Sequence, residues 1–146
     1  MITRILALLF IPLAAYASPS RMKIAADSEP GQRLIITGRV LGADGQPRRV
    51  QLYAYHTDAK GLYRLDGSFK GEPRLRGTLV TAADGSYEID TIKPAPYPNR
   101  IIPAHIHIHL RGPGFDQEEE IRFEGSGPAV CHVVAGRCTV DFRLRS

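Results

Sequence analysis

The sequence predicts an all-β chain, a single β-sandwich with few or no helices, and three observations carry that expectation. No long stretch shows a helical hydrophobic period. Fourteen glycines and eleven prolines are spread through 146 residues, which works against long helices. From Arg33 onward, short runs of β-formers alternate with turn residues, the pattern of a sandwich.

Taken in order, Ser18 to Gln32 is polar and carries Pro19, Pro30 and Gly31, so it reads as an exposed arm. Leu34 to Val40 reads as a strand. Ala43-Asp44-Gly45-Gln46-Pro47 is a turn by chemistry, because glycine tolerates positive φ and proline fixes φ. Val50 to His56 alternates: Val50, Leu52, Ala54 and His56 share one face, Tyr53 and Tyr55 the other. Gly77–Thr81 and Ser86–Ile89 are strands around an Asp84-Gly85 turn. Ala104–Leu110, Glu120–Phe123 and Cys138–Leu144 complete the set. No internal repeat interrupts this series, and residues 33–146 read as one domain.

The first 17 residues read as a signal peptide rather than as part of the domain. Arg4 is a short positive region, Ile5 to Ala15 is apolar, and Ala15-Tyr16-Ala17 is an A-x-A cleavage site. The apolar run is too short for a stable membrane anchor. The expectation is a periplasmic or secreted protein cleaved after Ala17. In that setting Cys131 and Cys138 are expected to pair: a hairpin tip at residues 133–136 would set them on neighbouring strands.

The formal net charge is +4, and basic residues are interleaved with acids rather than gathered in a stripe with aromatics. Nucleic-acid binding is therefore not supported. A mildly basic surface suits an anionic aromatic ligand only weakly.

The chemistry concentrates in Tyr63, Tyr97, His105 and His107. Residues i and i+2 of a strand share a face, so His105 and His107 present two imidazoles side by side. Imidazole suits several transition metals and does not choose among them. Phenolate is a hard anionic donor, and two tyrosines beside two histidines point to a mononuclear non-haem ferric ion. His109 lies on the same face but roughly 13 Å beyond His105, too far for one ion to bind all three. It is expected in a supporting shell or in the core.

The run Thr91-Ile92-Lys93-Pro94-Ala95-Pro96-Tyr97-Pro98, then Pro103-Ala104-His105-Ile106-His107, resembles the intradiol ring-cleavage dioxygenases, most nearly the iron-bearing subunits of the protocatechuate enzymes. Gly61-Leu62-Tyr63 upstream and Asp84-Gly85-Ser86-Tyr87 between the two tyrosines extend the likeness over roughly residues 34–125. The resemblance implies a β-sandwich with Fe(III) held by Tyr63, Tyr97, His105 and His107. It implies cleavage of a catechol-type ring with O2 to a muconate-type diacid, both oxygen atoms entering the product. Tyr97 is then the ligand that yields to the catechol, while Tyr63, His105 and His107 stay bound.

Two positions depart from the family pattern. Ile102 stands where the family has an arginine facing the ring, and the nearest base in that loop is Arg100. Glu120 stands where it has a glutamine. Tyr97, Arg100 and Glu120 are accordingly the residues expected to act on the substrate. Two other readings remain open. Gly38-Arg39-Val40 and Asp84-Gly85-Ser86-Tyr87 also resemble iron-free prealbumin-like and carboxypeptidase-regulatory-like modules, and an iron-binding homologue without catalysis fits the same four ligands.

Overall fold

The computed structural model of the protein describes residues 19–146; the expected signal segment, residues 1–17, lies outside the described residues. The described residues form nine strands: β1 (Ser20–Lys23), β2 (Arg33–Leu41), β3 (Gln51–His56), β4 (Leu75–Val80), β5 (Ser86–Ile92), β6 (His105–Gly112), β7 (Phe115–Arg122), β8 (Arg137–Thr139) and β9 (Phe142–Arg143). No helix occurs among the described residues. One sheet runs β1-β5-β2-β8, with β9 also on β2, and the other runs β4-β3-β6-β7.

The core lies between the two sheets. Leu34, Ile36 and Val40 of β2 and Tyr87 and Ile89 of β5 meet Leu52 and Ala54 of β3 and Ile106, Ile108 and Leu110 of β6. Strict alternation on β6 decides what faces out. Ile106, Ile108 and Leu110 are fully buried, which leaves His105, His107 and His109 half-buried on the outer face of the sheet. Burying the three aliphatic side chains, each worth about 1.5–3 kcal/mol, fixes the register that aims the imidazoles outward.

Three parts of the chain differ from the sequence expectation. The polar arm at residues 18–32 contains β1, which pairs in parallel with β5 from Ser20↔Tyr87 to Lys23↔Asp90. Met22 and Ala25 are buried there, so two small apolar contacts and a strand edge in need of cover outweigh the polar composition. β7 begins at Phe115, well before Glu120, because Asp116, Glu118 and Glu120 sit on the solvent side while Gln117 and Ile121 turn inward. The expected Cys138–Leu144 strand is two short pieces, separated where the Asp141 carboxylate accepts the backbone N–H of Arg39.

The cysteines pair as expected. Cys131 and Cys138 form a disulfide with a Cα separation of 5.4 Å. The tip is a two-residue turn: Val134 and Arg137 exchange backbone hydrogen bonds of 2.9 and 3.0 Å, and Ala135 and Gly136 both take positive φ.

Candidate metal centre

The two tyrosines arrive on loops and the two histidines on a strand. Tyr63 lies in the β3–β4 connection, Tyr97 in the β5–β6 connection, and His105 and His107 at the start of β6. A turn at Asp58 shapes the first loop: its carboxylate accepts the backbone N–H groups of Lys60 and Leu62 at 2.8 and 3.0 Å. The two loops are joined just above the sheet. Thr57 donates its hydroxyl to the Ala95 carbonyl at 2.8 Å, and the Ala95 N–H reaches the Asp58 carbonyl at 3.1 Å. Gly61, at φ +79°, lets the loops touch, since a Cβ there would stand 2.0 Å from the Pro96 oxygen.

A charged clamp holds the first loop from outside. Arg74 takes both carboxylate oxygens of Glu29 at 2.8 and 2.7 Å and reaches Asp58 at 3.3 Å. Its backbone N–H donates to the Tyr63 carbonyl at 2.9 Å. The Arg74 guanidinium holds the Glu29 carboxyl below the usual range. The segment after β1 therefore braces the loop that carries Tyr63.

Four donor atoms converge as a result. The Tyr63 and Tyr97 hydroxyls are 2.5 Å apart, and Tyr97 stands 3.1 Å from His105 Nε2 and 3.4 Å from His107 Nε2. The two Nε2 atoms are 3.0 Å apart, and His107 Nε2 is 3.0 Å from the Tyr63 hydroxyl. Transition-metal bonds to imidazole are about 2.0–2.1 Å, so donors sharing one ion stand about 3–4 Å from one another. The donor set fits a single metal ion: these pairs that include an imidazole stand at 3.0–3.4 Å, and the hydrogen-bonded Tyr63–Tyr97 pair would open slightly around the ion.

The surroundings prepare these donors. His105 Nδ1 donates to the Pro103 carbonyl at 2.8 Å, which leaves the Nε2 lone pair facing the cluster. His107 is stacked on Tyr55, its cross-strand neighbour, with ring centroids 4.5 Å apart and planes 12° apart. Burial, then the nearby His105, pushes the His107 pKa down and keeps that ring neutral. Burial, then the hydrogen bond to Tyr97, pushes the Tyr63 phenol up, so its ionisation needs a strong cation at close range.

The remaining expected residues lie around this cluster. Glu120 is paired in register with His107, and the ligand atoms of His105, His107 and Glu120 all lie within 4.8 Å of one another. Ile102 is on the exposed rim. Arg100 lies outside the cluster, its guanidinium 5.6 Å from the Phe69 ring centre, and Phe69 in turn packs edge-on against Tyr63 and Tyr97. His109 is neither in the core nor at the donors; it sits farther along the outer face, 3.2 Å from the Asp116 carboxylate. Sequence reasoning missed Tyr55, Phe69, Asp58 and Arg74. The Asp58-Ala59-Lys60-Gly61 turn chemistry was a visible signal; the others become meaningful only through cross-strand and loop contacts.

Two grooves flank the centre. One, of about 570 Å3, is lined by Tyr55, His107, His109, Glu118, Glu120 and Arg122. The other, of about 500 Å3, is aromatic, with Tyr53, Tyr55, Tyr63, Phe69 and Tyr97.

Known proteins share both the sequence and the fold. A family profile described as "Dioxygenase" matches residues 7–140. The protocatechuate 3,4-dioxygenase beta chain of Burkholderia cepacia is 36% identical over 105 residues, 61% of this chain and 43% of that one. The chlorocatechol 1,2-dioxygenase of Rhodococcus opacus is 31% identical over 116 residues, 66% of this chain and 45% of that one. The chain thus spans less than half the length of these curated relatives. Among solved structures, the dioxygenase domain of a dioxygenase–carbohydrate-binding protein fusion from Streptomyces sp. SirexAA-E superposes with a TM-score of 0.70 at 28% identity, over 92% of this chain and 91% of that one. The 3-chlorocatechol 1,2-dioxygenase of Rhodococcus opacus 1CP, at 21% identity, shares the fold with a TM-score of 0.69 over 95% of this chain and 69% of that one. A profile match across nearly the whole chain, with a matching sandwich, places this protein in the intradiol ring-cleavage dioxygenase family.

Proposed function

We propose that the protein is an intradiol dioxygenase that opens a catechol-type ring with O2, using ferric iron held by Tyr63, Tyr97, His105 and His107. The observation that carries this reading is the convergence of those four donors, from two loops and one strand, within 2.5–3.4 Å of their neighbours. Iron-free sandwich modules have no use for such a cluster. When bound, ferric iron supplies a strong Lewis acid that ionises the phenols and the catechol and makes the ring reactive toward dioxygen.

The protein's own groups do the positioning. The His105 Nδ1–H held by Pro103 and the His107 ring held by Tyr55 keep both Nε2 atoms aimed at one point. Tyr63 is fixed by the Arg74 clamp and the Asp58 turn, which suits a ligand that stays bound. Tyr97 lies on a surface loop between two prolines and contacts all three other donors. Its phenol oxygen would be the base that accepts a proton from an incoming catechol. Phe69 packs edge-on against both tyrosines and gives that side of the site an apolar wall. Compared with a neutral amide at that position, the Glu120 carboxylate makes the site one charge more negative, which disfavours a ring that carries its own carboxylate.

The test is direct. Iron-loaded protein should show a visible phenolate-to-iron absorption band and consume O2 with catechol, yielding a ring-opened diacid identified by mass. A band without oxygen uptake would favour an iron-binding protein without catalysis. No band at one iron per chain would refute the tyrosine ligation.

Export is proposed on the Arg4, Ile5–Ala15 and Ala15-Tyr16-Ala17 pattern. N-terminal sequencing of protein from its own host should begin at Ser18, and an intact Met1 on the active protein would refute it.

A further inference from the structure

The acids of β7 differ in how they are occupied. Asp116 pairs with Arg111 at 3.0 Å and with His109 at 3.2 Å. Glu118 stands 3.9 Å from His109. Glu119 is held by Arg145 at 2.7 Å and by Gln117 at 2.8 Å. Glu120 alone among these four has no cation or hydrogen-bond donor at its carboxylate among the described residues. The nearest candidate on its own strand face, Arg122, spends an N–H on the Ser126 carbonyl at 3.1 Å instead.

Glu120 is nonetheless not directed into empty solvent. It sits directly across from His107 in the β6–β7 register, on the same outer face, and its carboxylate is within 4.8 Å of the ligand nitrogens of both His105 and His107. Cross-strand neighbours have Cβ atoms about 4.5–5.5 Å apart, so the carboxylate reaches the donor cluster without a long detour. Donors bonded at about 2.1 Å to one ion stand at most about 4.2 Å apart, so the carboxylate lies near ligand range of both histidines and needs only a small shift to join them. An exposed glutamate makes that shift by rotation about its own side-chain bonds.

We infer that Glu120 is a fifth protein donor to the metal, a carboxylate added to the two imidazoles and two phenolates. The inference rests on the reading that those four residues hold ferric iron. Charge balance gives the reason. Two phenolates offset two of the three positive charges of Fe(III), and the carboxylate offsets the third. Hard oxygen donors favour hard cations, and a neutral centre in a half-buried site avoids the cost of holding a residual charge away from water. A glutamine at this position could offer only a neutral amide. The chain's centre is thereby biased toward the trivalent ion and against divalent ones.

Metal affinity and colour test this independently of turnover. Apo protein, its Glu120→Gln variant and its Glu120→Asp variant are titrated with ferric iron, and separately with redox-inert Ga(III) and with Zn(II), against a competing chelator. Removing the carboxylate should weaken Fe(III) and Ga(III) binding about 10–100-fold while changing Zn(II) much less. The phenolate-to-iron band should move to longer wavelength in Glu120→Gln, because a more electron-poor ferric ion is reached at lower energy. Glu120→Asp, which keeps the charge with a shorter reach, should fall between the two. Fe(III) affinity within twofold of wild type together with an unmoved band in Glu120→Gln would overturn the inference and leave the four-ligand reading standing. Absence of the band from iron-loaded wild type would overturn both.

Discussion

At the scale of single residues, the site was legible to the extent that chemistry repeats at strand spacing. His105 and His107 were readable because i, i+2 on a strand is one face, and the buried Ile106, Ile108 and Leu110 enforce that face. His109 has the same phase, and only distance separates it from the donors. His105→Ala should therefore abolish or greatly weaken the visible iron band, whereas His109→Ala should leave iron content and colour intact; equal losses in the two variants would undo the assignment. Arg100 was harder to read. Its position suggested a reach into the site, but its guanidinium rests on Phe69, one ring removed from the donors. Stacked there, it supports the apolar wall beside Tyr63 and Tyr97. At Glu120 the charge itself sets a preference. Neutral catechols should be turned over better than carboxylated ones, and Glu120→Gln should narrow that gap when rates are counted per bound iron. An oxygen-electrode series over neutral and carboxylated catechols decides it, and a wild-type preference for protocatechuate would overturn the claim.

At the scale of elements, strands were easier to read than the loops that matter most. Alternation revealed β2, β3, β5 and β6, because each buries every second residue. β1 was hidden by polar neighbours and β7 by its acids, since only one face of each meets the core. The loops follow contacts between residues far apart in sequence, Thr57 with Ala95 and Arg74 with Glu29, and no local pattern encodes these. Gly61 is where the two tyrosine loops depend on one atom. Replacing it with alanine puts a Cβ against the Pro96 oxygen at 2.0 Å and forces a side chain to hold φ +79°. Strain of about 1–3 kcal/mol in the backbone alone follows, with the clash added. Because the loops must separate to relieve it, Gly61→Ala should lose iron binding more than it loses thermal stability. Iron content measured beside a melting curve checks this; unchanged iron with a lowered Tm would show that the loop junction is only structural.

At the scale of the whole molecule, the sandwich carries a fully buried histidine that ties its stability to pH. His56 ends β3 on its inward face and is fully buried. Its Nδ1–H donates to the Thr57 carbonyl at 2.7 Å, and its Nε2 accepts the Thr91 hydroxyl at 2.7 Å, so the neutral ring satisfies both sheets at once. Burial, the largest cause, pushes its pKa down from 6.5 to about 4, partly opposed by the Thr57 carbonyl and by Glu29 and Asp58. The sign follows from proton counting. Above pH 6.5 neither the folded nor the unfolded chain protonates this ring, and its contribution is complete. Between 6.5 and about 4 the unfolded chain takes up a proton that the folded chain refuses, so stability falls as pH falls. A shift of that size corresponds to about 3 kcal/mol lost across the window. Thr57 and Thr91 flank the loops that bear Tyr63 and Tyr97, so loosening here releases the metal loops first. Urea denaturation of apo protein at pH 7 and pH 4.5 should show this loss, and His56→Gln should flatten the slope between them. An equally steep slope in His56→Gln would assign the acid sensitivity to the carboxylates, beginning with the Glu29–Arg74 clamp.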